Sequence, residues 1–262
     1  MTLDMPYRPQ LRGRSALAAL AKTSSVETKL FLRDPGSYFV FFFPAGLLLT
    51  LGWVMPGFLE PAQEAGGLRP IDVYAPVAVV AGIATAALLS VPTVLTAYRE
   101  RGVLRRLATT PARPSMVLAA QLLVNLGAAA VAVALAIVAA AVVFRVDPPA
   151  QPAGFAVAVL LGTVAAFGIG LLIASFLPTA RLANAVAPLV FFPLMFFAGL
   201  WLPGPMMPEP LRRIAEFTPL GAMAETFHDS WGGAWPSLIH LVSLLGYSVV
   251  TGLLAIRLFR WE

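Results

Sequence analysis

Residues 114–144 read PSMVLAAQLLVNLGAAAVAVALAIVAAAVVF, thirty-one positions without one Asp, Glu, Lys or Arg. A helix crossing about 30 Å of hydrocarbon needs about 20 apolar residues, so this run alone is long enough to span a bilayer. Five further charge-free runs accompany it, at 35–59, 73–98, 148–180, 182–208 and 230–256. Together the six occupy 169 of the 262 residues, and the other 93 hold all 31 charged side chains. Hydrophobic residues make up 59% of the chain and charged ones 12%, with a mean hydropathy of +0.82. A soluble domain carries about a quarter charged residues. The expected fold is therefore all-α integral membrane: six transmembrane helices, preceded by an interfacial amphipathic helix, with short outer-face helices between spans five and six. As one domain over 1–262, the expected segments are an arm helix at 15–33 and spans at 36–57, 73–97, 115–144, 154–177, 182–202 and 235–259. A cytoplasmic loop is expected at 99–111 and outer helices at 204–234.

Several functions fall away. The chain has no cysteine, hence no disulfide framework, thiolate metal site or cysteine nucleophile. His228 and His240 are not at zinc-binding spacing, so no metal is expected. The net charge of +5 comes from basic residues flanking apolar runs, the pattern membrane orientation requires, and no nucleic-acid partner is expected. The first 35 residues carry no short apolar core ahead of a small-residue cleavage site, so no removable signal peptide is expected. Sixteen Arg against two Lys, with abundant Ala, indicates a GC-rich genome, and alanine patterns are discounted accordingly.

Charge also sets orientation. The arm, the second loop, Arg181 and the tail together hold fourteen of the eighteen basic residues, while Arg69, Arg145, Arg212 and Arg213 lie on the opposite side. The positive-inside rule makes both termini cytoplasmic, in a multi-pass protein of the cell membrane.

Along the arm, Leu17, Leu20, Ala21, Ser24, Thr28 and Phe31 recur at three and four, with Lys22, Ser25, Lys29 and Arg33 turned elsewhere. This predicts an interfacial helix stopped at Asp34-Pro35. Phe39, Phe41, Phe42 and Phe43 are read as lipid-facing. Pro76 and Pro92 are expected to kink the second span. Ala78, Gly82, Ala86 and Ser90 there, and Gly162, Ala166, Gly170 and Ala174 in the fourth, place small residues at every fourth position, which permits close helix approach. Beyond the fifth span, residues 208–217 and 220–227 predict two short helices dipping into the headgroup region, and Trp235 and Trp261 are expected interfacial anchors.

No span contains an Asp, Glu, Lys or Arg between its flanking charges, which disfavours a proton-coupled carrier. The polar inventory is Gln121, Asn125, Asn184, His240 and a few hydroxyls, and His240 is read as a hydrogen-bonded structural side chain. No polar stripe or charged ring offers a pore lining. Energy must then enter elsewhere. The second loop offers an apolar ridge, Val103, Leu104 and Leu107, beside Arg105 and Arg106, bounded by Gly102 and Pro111. A short helix of this composition can seat in a groove of another protein, its guanidiniums paired with carboxylates.

The loop Glu100-Arg101-Gly102-Val103-Leu104-Arg105-Arg106-Leu107…Thr110-Pro111 resembles the E-R-G-T-L-x-x-L…T-P signature of ABC type-2 permeases, the membrane subunits of ATP-driven exporters, including the daunorubicin-resistance type. Phe31-Leu32-Arg33-Asp34-Pro35 is similar to the family's F-x-R-D-P lead-in to the first span. Gly199-Leu200-Trp201-Leu202-Pro203…Pro208…Leu211…Ile214…Pro219-Leu220 is similar to its segment after the fifth span. Val103 stands where the family often has Thr. The resemblance implies two permease subunits, this chain with an identical or paralogous second, driven by separate ABC ATPase subunits. These would carry ATP and Mg, with no cofactor on this chain, which has no G-x-x-x-x-G-K-[ST] phosphate loop and is expected not to be an enzyme.

By the same resemblance, Glu100, Arg101, Gly102, Val103, Leu104, Arg105, Arg106 and Leu107 form the ATPase-coupling segment. Lys22, Lys29 and Arg33 belong to the interfacial helix, and Gly199, Leu200, Pro203, Pro219 and Leu220 to an outer gate. Apolar walls suit a hydrophobic or amphipathic drug or lipid-like cargo moving out through the bilayer. The alternatives are a secondary multidrug carrier, a non-transporting regulator subunit, and a membrane enzyme built on Glu209, Glu216, Glu225, His228 and Asp229.

Overall fold

A computed structural model describes residues 14–103, 114–204 and 207–258. Six helices are long and apolar enough to cross a membrane, and no strand occurs among the described residues. Helix α1 (Arg14–Arg33) is followed by α2 (Pro35–Val54), with only Asp34 between them. Asp34 is the N-cap of α2: its carboxylate accepts from the Gly36 N–H, and Pro35 occupies the first turn, where a missing N–H costs nothing. Helix α3 (Pro70–Glu100) is continuous but contains a π-helical segment, Thr85–Ser90. Then come α4 (Pro114–Phe144), α5 (Pro152–Phe176) and α6 (Ala180–Phe197). Two shorter helices, α7 (Glu209–Ala215) and α8 (Pro219–Trp231), precede α9 (Leu238–Leu258).

The centre of the bundle is α3. Its most apolar stretch is 78% buried, against 17–44% for the other spans. On one side it packs against α2 and α4, on the other against α5, α6 and α8, and α9 packs on α5. Small residues make this possible. Gly82 of α3 faces the Pro44 ring of α2 so closely that a Cβ would overlap it, and Gly170 of α5 rests directly on the Ala87 carbonyl of α3. Farther along α5, Gly162 receives Met223 of α8, and Gly168 receives Thr251 of α9. Both small-residue stripes are thus contact lines, as the glycines within them indicate.

Pro92 of α3 follows the π-helical segment immediately; proline lacks an N–H and its ring crowds the carbonyl four residues back, and a π turn supplies the needed slack. One turn before Pro76, the Val73 carbonyl lies 3.1 Å from His228 Nε2 of α8, which ties α8 to the first half of α3.

Two arginines pin the ends of α3. Arg69, just before it, pairs with Asp72 and donates to the carbonyls of Phe144 and Arg145. There α4 ends in a left-handed residue, Arg145 at φ 55°. At the other end, Arg99 donates to the carbonyls of Ala174 and Leu177, closing the C-terminus of α5. Cations at helix C-termini satisfy orphan carbonyls and oppose the dipole.

The segment between α6 and α9 differs from expectation. The sequence predicts two helices dipping into the headgroup region and partly buried against protein, the second ending at 227. Instead α8 extends to Trp231 and is enclosed by α3, α5, α6 and α9, with Leu220, Met223 and Phe227 fully buried. Tyr247, nine residues into α9, donates its hydroxyl to the Phe217 carbonyl. The turn before α8 is therefore fastened to the middle of that span through a long side chain. This packing escaped the sequence because the stripe of Glu225, His228 and Asp229 reads as a solvated outer face, while the hydroxyls on the buried side are satisfied internally: Thr226 and Ser230 donate to the carbonyls of Met223 and Thr226.

Candidate functional site

The connection from α3 to α4 starts at the end of the bundle where α1 also packs. Helix α3 does not stop at Tyr98 but continues through Arg99 and Glu100, so the expected loop 99–111 begins only at Arg101. Arg99 reaches the end of α5 through the carbonyls of Ala174 and Leu177. Glu100, the last helical residue, is exposed, as is Arg101. Gly102 takes φ +66°, the left-handed conformation that releases the chain from a helix, and Val103 is again helical. Leu104, Arg105, Arg106 and Leu107 lie outside the described residues.

Helix α1 lies along α4 and α2. Lys22, Lys29 and Arg33 are exposed on its outward side. Its inward stripe is Leu20, Thr23, Ser24, Glu27 and Phe31; Ala21 and Thr28, expected to share it, are exposed. Val26, Leu30 and Leu32 are also about half exposed. The helix is rotated from its apolar reading because one charged residue is buried against protein. Glu27 is only 7% exposed, and its Oε2 accepts 2.8 Å from the Tyr98 hydroxyl of α3 and 2.6 Å from Gln121 Nε2 of α4. Asn125, one turn on, donates to the Gln121 backbone carbonyl. Burial raises the Glu27 carboxyl above its ordinary 4.5, opposed by the two hydrogen bonds that favour the charged form.

Glu27 and Tyr98 also line a cavity of about 370 Å³ between α1 and α3. A second cavity, of about 210 Å³, shares Asp34, Ser90, Thr93 and Val94 with it and reaches Phe39 and Val40 of α2 and Asn184 of α6. Thr93 donates to Asn184 Oδ1 at 2.7 Å, tying α3 to α6 beside it. Phe39, read as lipid-facing, is 55% exposed and also borders this second cavity. The joined space is mostly apolar with polar groups at intervals, a lining suited to an amphipathic molecule.

At the opposite end, Gly199 (φ +90°) ends α6, and Leu200 packs against the core containing Leu220. Pro203 and Pro219 are buried, and Gly204 abuts the Glu225 carboxylate. Of the five expected gate residues, Leu200 and Leu220 thus share one core and Gly199 lies beside Pro203, while Pro219 is buried at the start of α8. Glu225 lies within electrostatic reach of His228 and His240. His240 is half-buried, and its Nδ1 has no hydrogen-bond partner among the described residues. Among the described residues no group of three His, Asp or Glu could hold a metal ion.

Residues 23–230 match the model of the ABC-2 type transporter family. The chain belongs to this family. The match runs from the middle of α1 to the end of α8 and so takes in the contact of Glu27 with Tyr98 and Gln121 and the segment between α6 and α8. No curated protein matches the chain. As an ABC-2 membrane domain it is a multi-pass transport component, of a family that works with ABC ATPase partners.

Glu27 was missed by sequence reasoning. It counted only as a charge of the arm, although it shares the stripe of Leu20, Ser24 and Phe31. The polar pair Gln121 and Asn125 in an otherwise apolar span was the signal that a buried partner exists.

Proposed function

We propose that this ABC-2 chain is the permease subunit of an ATP-driven exporter. It works beside a second permease, identical or paralogous, and is powered by separate ABC ATPase subunits that hold ATP and Mg. The positive-inside distribution of Arg and Lys makes the α1 end cytoplasmic in the cell membrane, so the segment 101–113 faces the ATPases. The observation that carries this reading is a family match over a bundle of six apolar helices long enough to cross a membrane. The cargo is a hydrophobic or amphipathic drug or lipid-like molecule, as the mixed lining of the two joined cavities suits. Multidrug efflux of the daunorubicin-resistance type, with the antibiotic resistance it confers, and lipid export are both of this chemistry. Gly199, Leu200, Pro203, Pro219 and Leu220 serve as the outer gate.

Affinity purification from membranes should bring down an ATPase with this chain. Leu104→Glu and Arg105→Glu should abolish transport-stimulated ATP turnover without loss of membrane insertion; unchanged turnover in both overturns the docking role. A second reading, a proton-coupled carrier, is favoured by the grouping of Glu225, His228 and His240 on and beside the buried α8. Uphill transport on a pH gradient by vesicles containing this polypeptide alone, without nucleotide, would establish it instead.

A further inference from the structure

Glu27 joins three helices that the sequence keeps far apart. Its partners lie 71 and 94 residues away, one in the last turns of α3, the other two turns into α4. These helices border the segment 104–113 on either side. On its own side Glu27 belongs to α1, which runs into α2 with only Asp34 between, and α2 carries Phe39 and Val40 on the wall of the inner cavity. A carboxylate is an expensive choice at this position: burial disfavours its charge, and the neighbouring members of its stripe show that Leu or Phe would pack there. What a carboxylate oxygen does that Leu does not is accept two hydrogen bonds at once, from two different helices.

We propose that Glu27 is the positioning residue that locks α1 to both helices bordering the 104–113 segment, so that displacement of this segment carries α1, and through it α2, at the cavity wall. Without the lock, the segment can move α3 and α4 while α1 stays behind in the membrane surface. The role of the displacement rests on the ATP-driven reading above; the lock itself does not.

The absence of native cysteine allows paired spin labels at Ser25→Cys on α1 and Arg181→Cys at the start of α6, both exposed. In nucleotide-free protein, the inter-label distance distribution should be narrow in the parent and in Glu27→Gln, whose amide oxygen accepts the same two bonds. It should be at least twice as broad in Glu27→Leu, with Tyr98→Phe intermediate. In vesicles containing the ATPase subunits, Glu27→Leu should still hydrolyse ATP but move at least tenfold less cargo per ATP, and Glu27→Gln should restore the ratio. Equal widths in parent and Glu27→Leu overturn the lock. Loss of coupling in Glu27→Gln as severe as in Glu27→Leu overturns it too, since the charge and not the hydrogen bonding would then matter. A parent that responds to no nucleotide refutes the ATP-driven reading, while the nucleotide-free widths still decide the lock. Should Glu27→Leu fail to assemble, Tyr98→Phe carries the test, with parent-like width and transport counting against the proposal.

Discussion

Gly170→Ala offers the sharpest test of how α3 and α5 meet. The added Cβ would fall on the Ala87 carbonyl, with Val91 Cβ 3.7 Å away. A backbone carbonyl cannot swing aside as a side-chain tip can, so the two helices must separate along their whole contact line. Overpacking of this kind costs about 1–3 kcal/mol. The intrinsic preference of a helix for Ala over Gly works the other way, by about 0.5–1 kcal/mol. Gly127→Ala in α4 and Gly246→Ala in α9 isolate that second contribution, because nothing lies within 4 Å of a Cβ at either position. The gap between Gly170→Ala and these controls should therefore be about 1–3 kcal/mol, the overpacking cost alone, because the preference for Ala is common to all three variants. Equilibrium unfolding in mixed micelles, with all three variants beside the parent, measures it. The separation also draws Arg99 away from Ala174 and Leu177, so transport should fall with stability. Gly170→Ala as stable as Gly127→Ala would refute the close approach and the spine role of α3 with it.

The pH dependence of stability follows from Glu27. Its native carboxyl titrates above 4.5 because burial disfavours the charge, so the native state holds this proton more tightly than the unfolded chain. Its stabilising contribution is complete below 4.5 and is lost as pH rises through the raised native value. Glu27→Gln has no proton to lose, so its melting temperature should gain on the parent as pH rises toward neutrality and converge with it in acid; a constant difference across that range would show the carboxyl is not desolvated. Arg99→Met keeps the apolar stem but strips the carbonyls of Ala174 and Leu177 of their donor. It should cost about 1–2 kcal/mol, read in the same unfolding assay, with a change below a few tenths ruling out the cap.

Much of the architecture is legible without coordinates. Charge-free runs mark each span because a bilayer imposes a length that a linear string can meet or fail. Asp34-Pro35 announces a helix start because capping is chemistry between near neighbours. Gly162 and Gly170 announce contact because little else profits from missing side chains at that spacing. Helix α8 was misjudged for a related reason: its stripe of Glu225, His228 and Asp229 reads as a solvated face, and nothing local says how deep the opposite, apolar side goes. At the inner site, Gly102 was legible as the end of a helix, whereas Arg99 was counted with the loop although it serves α5.

The pattern of charge and apolar length therefore determined by itself that this chain crosses a membrane six times, and which segments do so, since insertion responds to each stretch separately. Only the tertiary structure decided that α3 is the spine, that α8 lies among the spans, and that one carboxylate of the arm reaches Tyr98 and Gln121. Those are facts about which surfaces meet, and a residue's partners across 71 and 94 positions of chain are set by packing, not by the residues on either side of it.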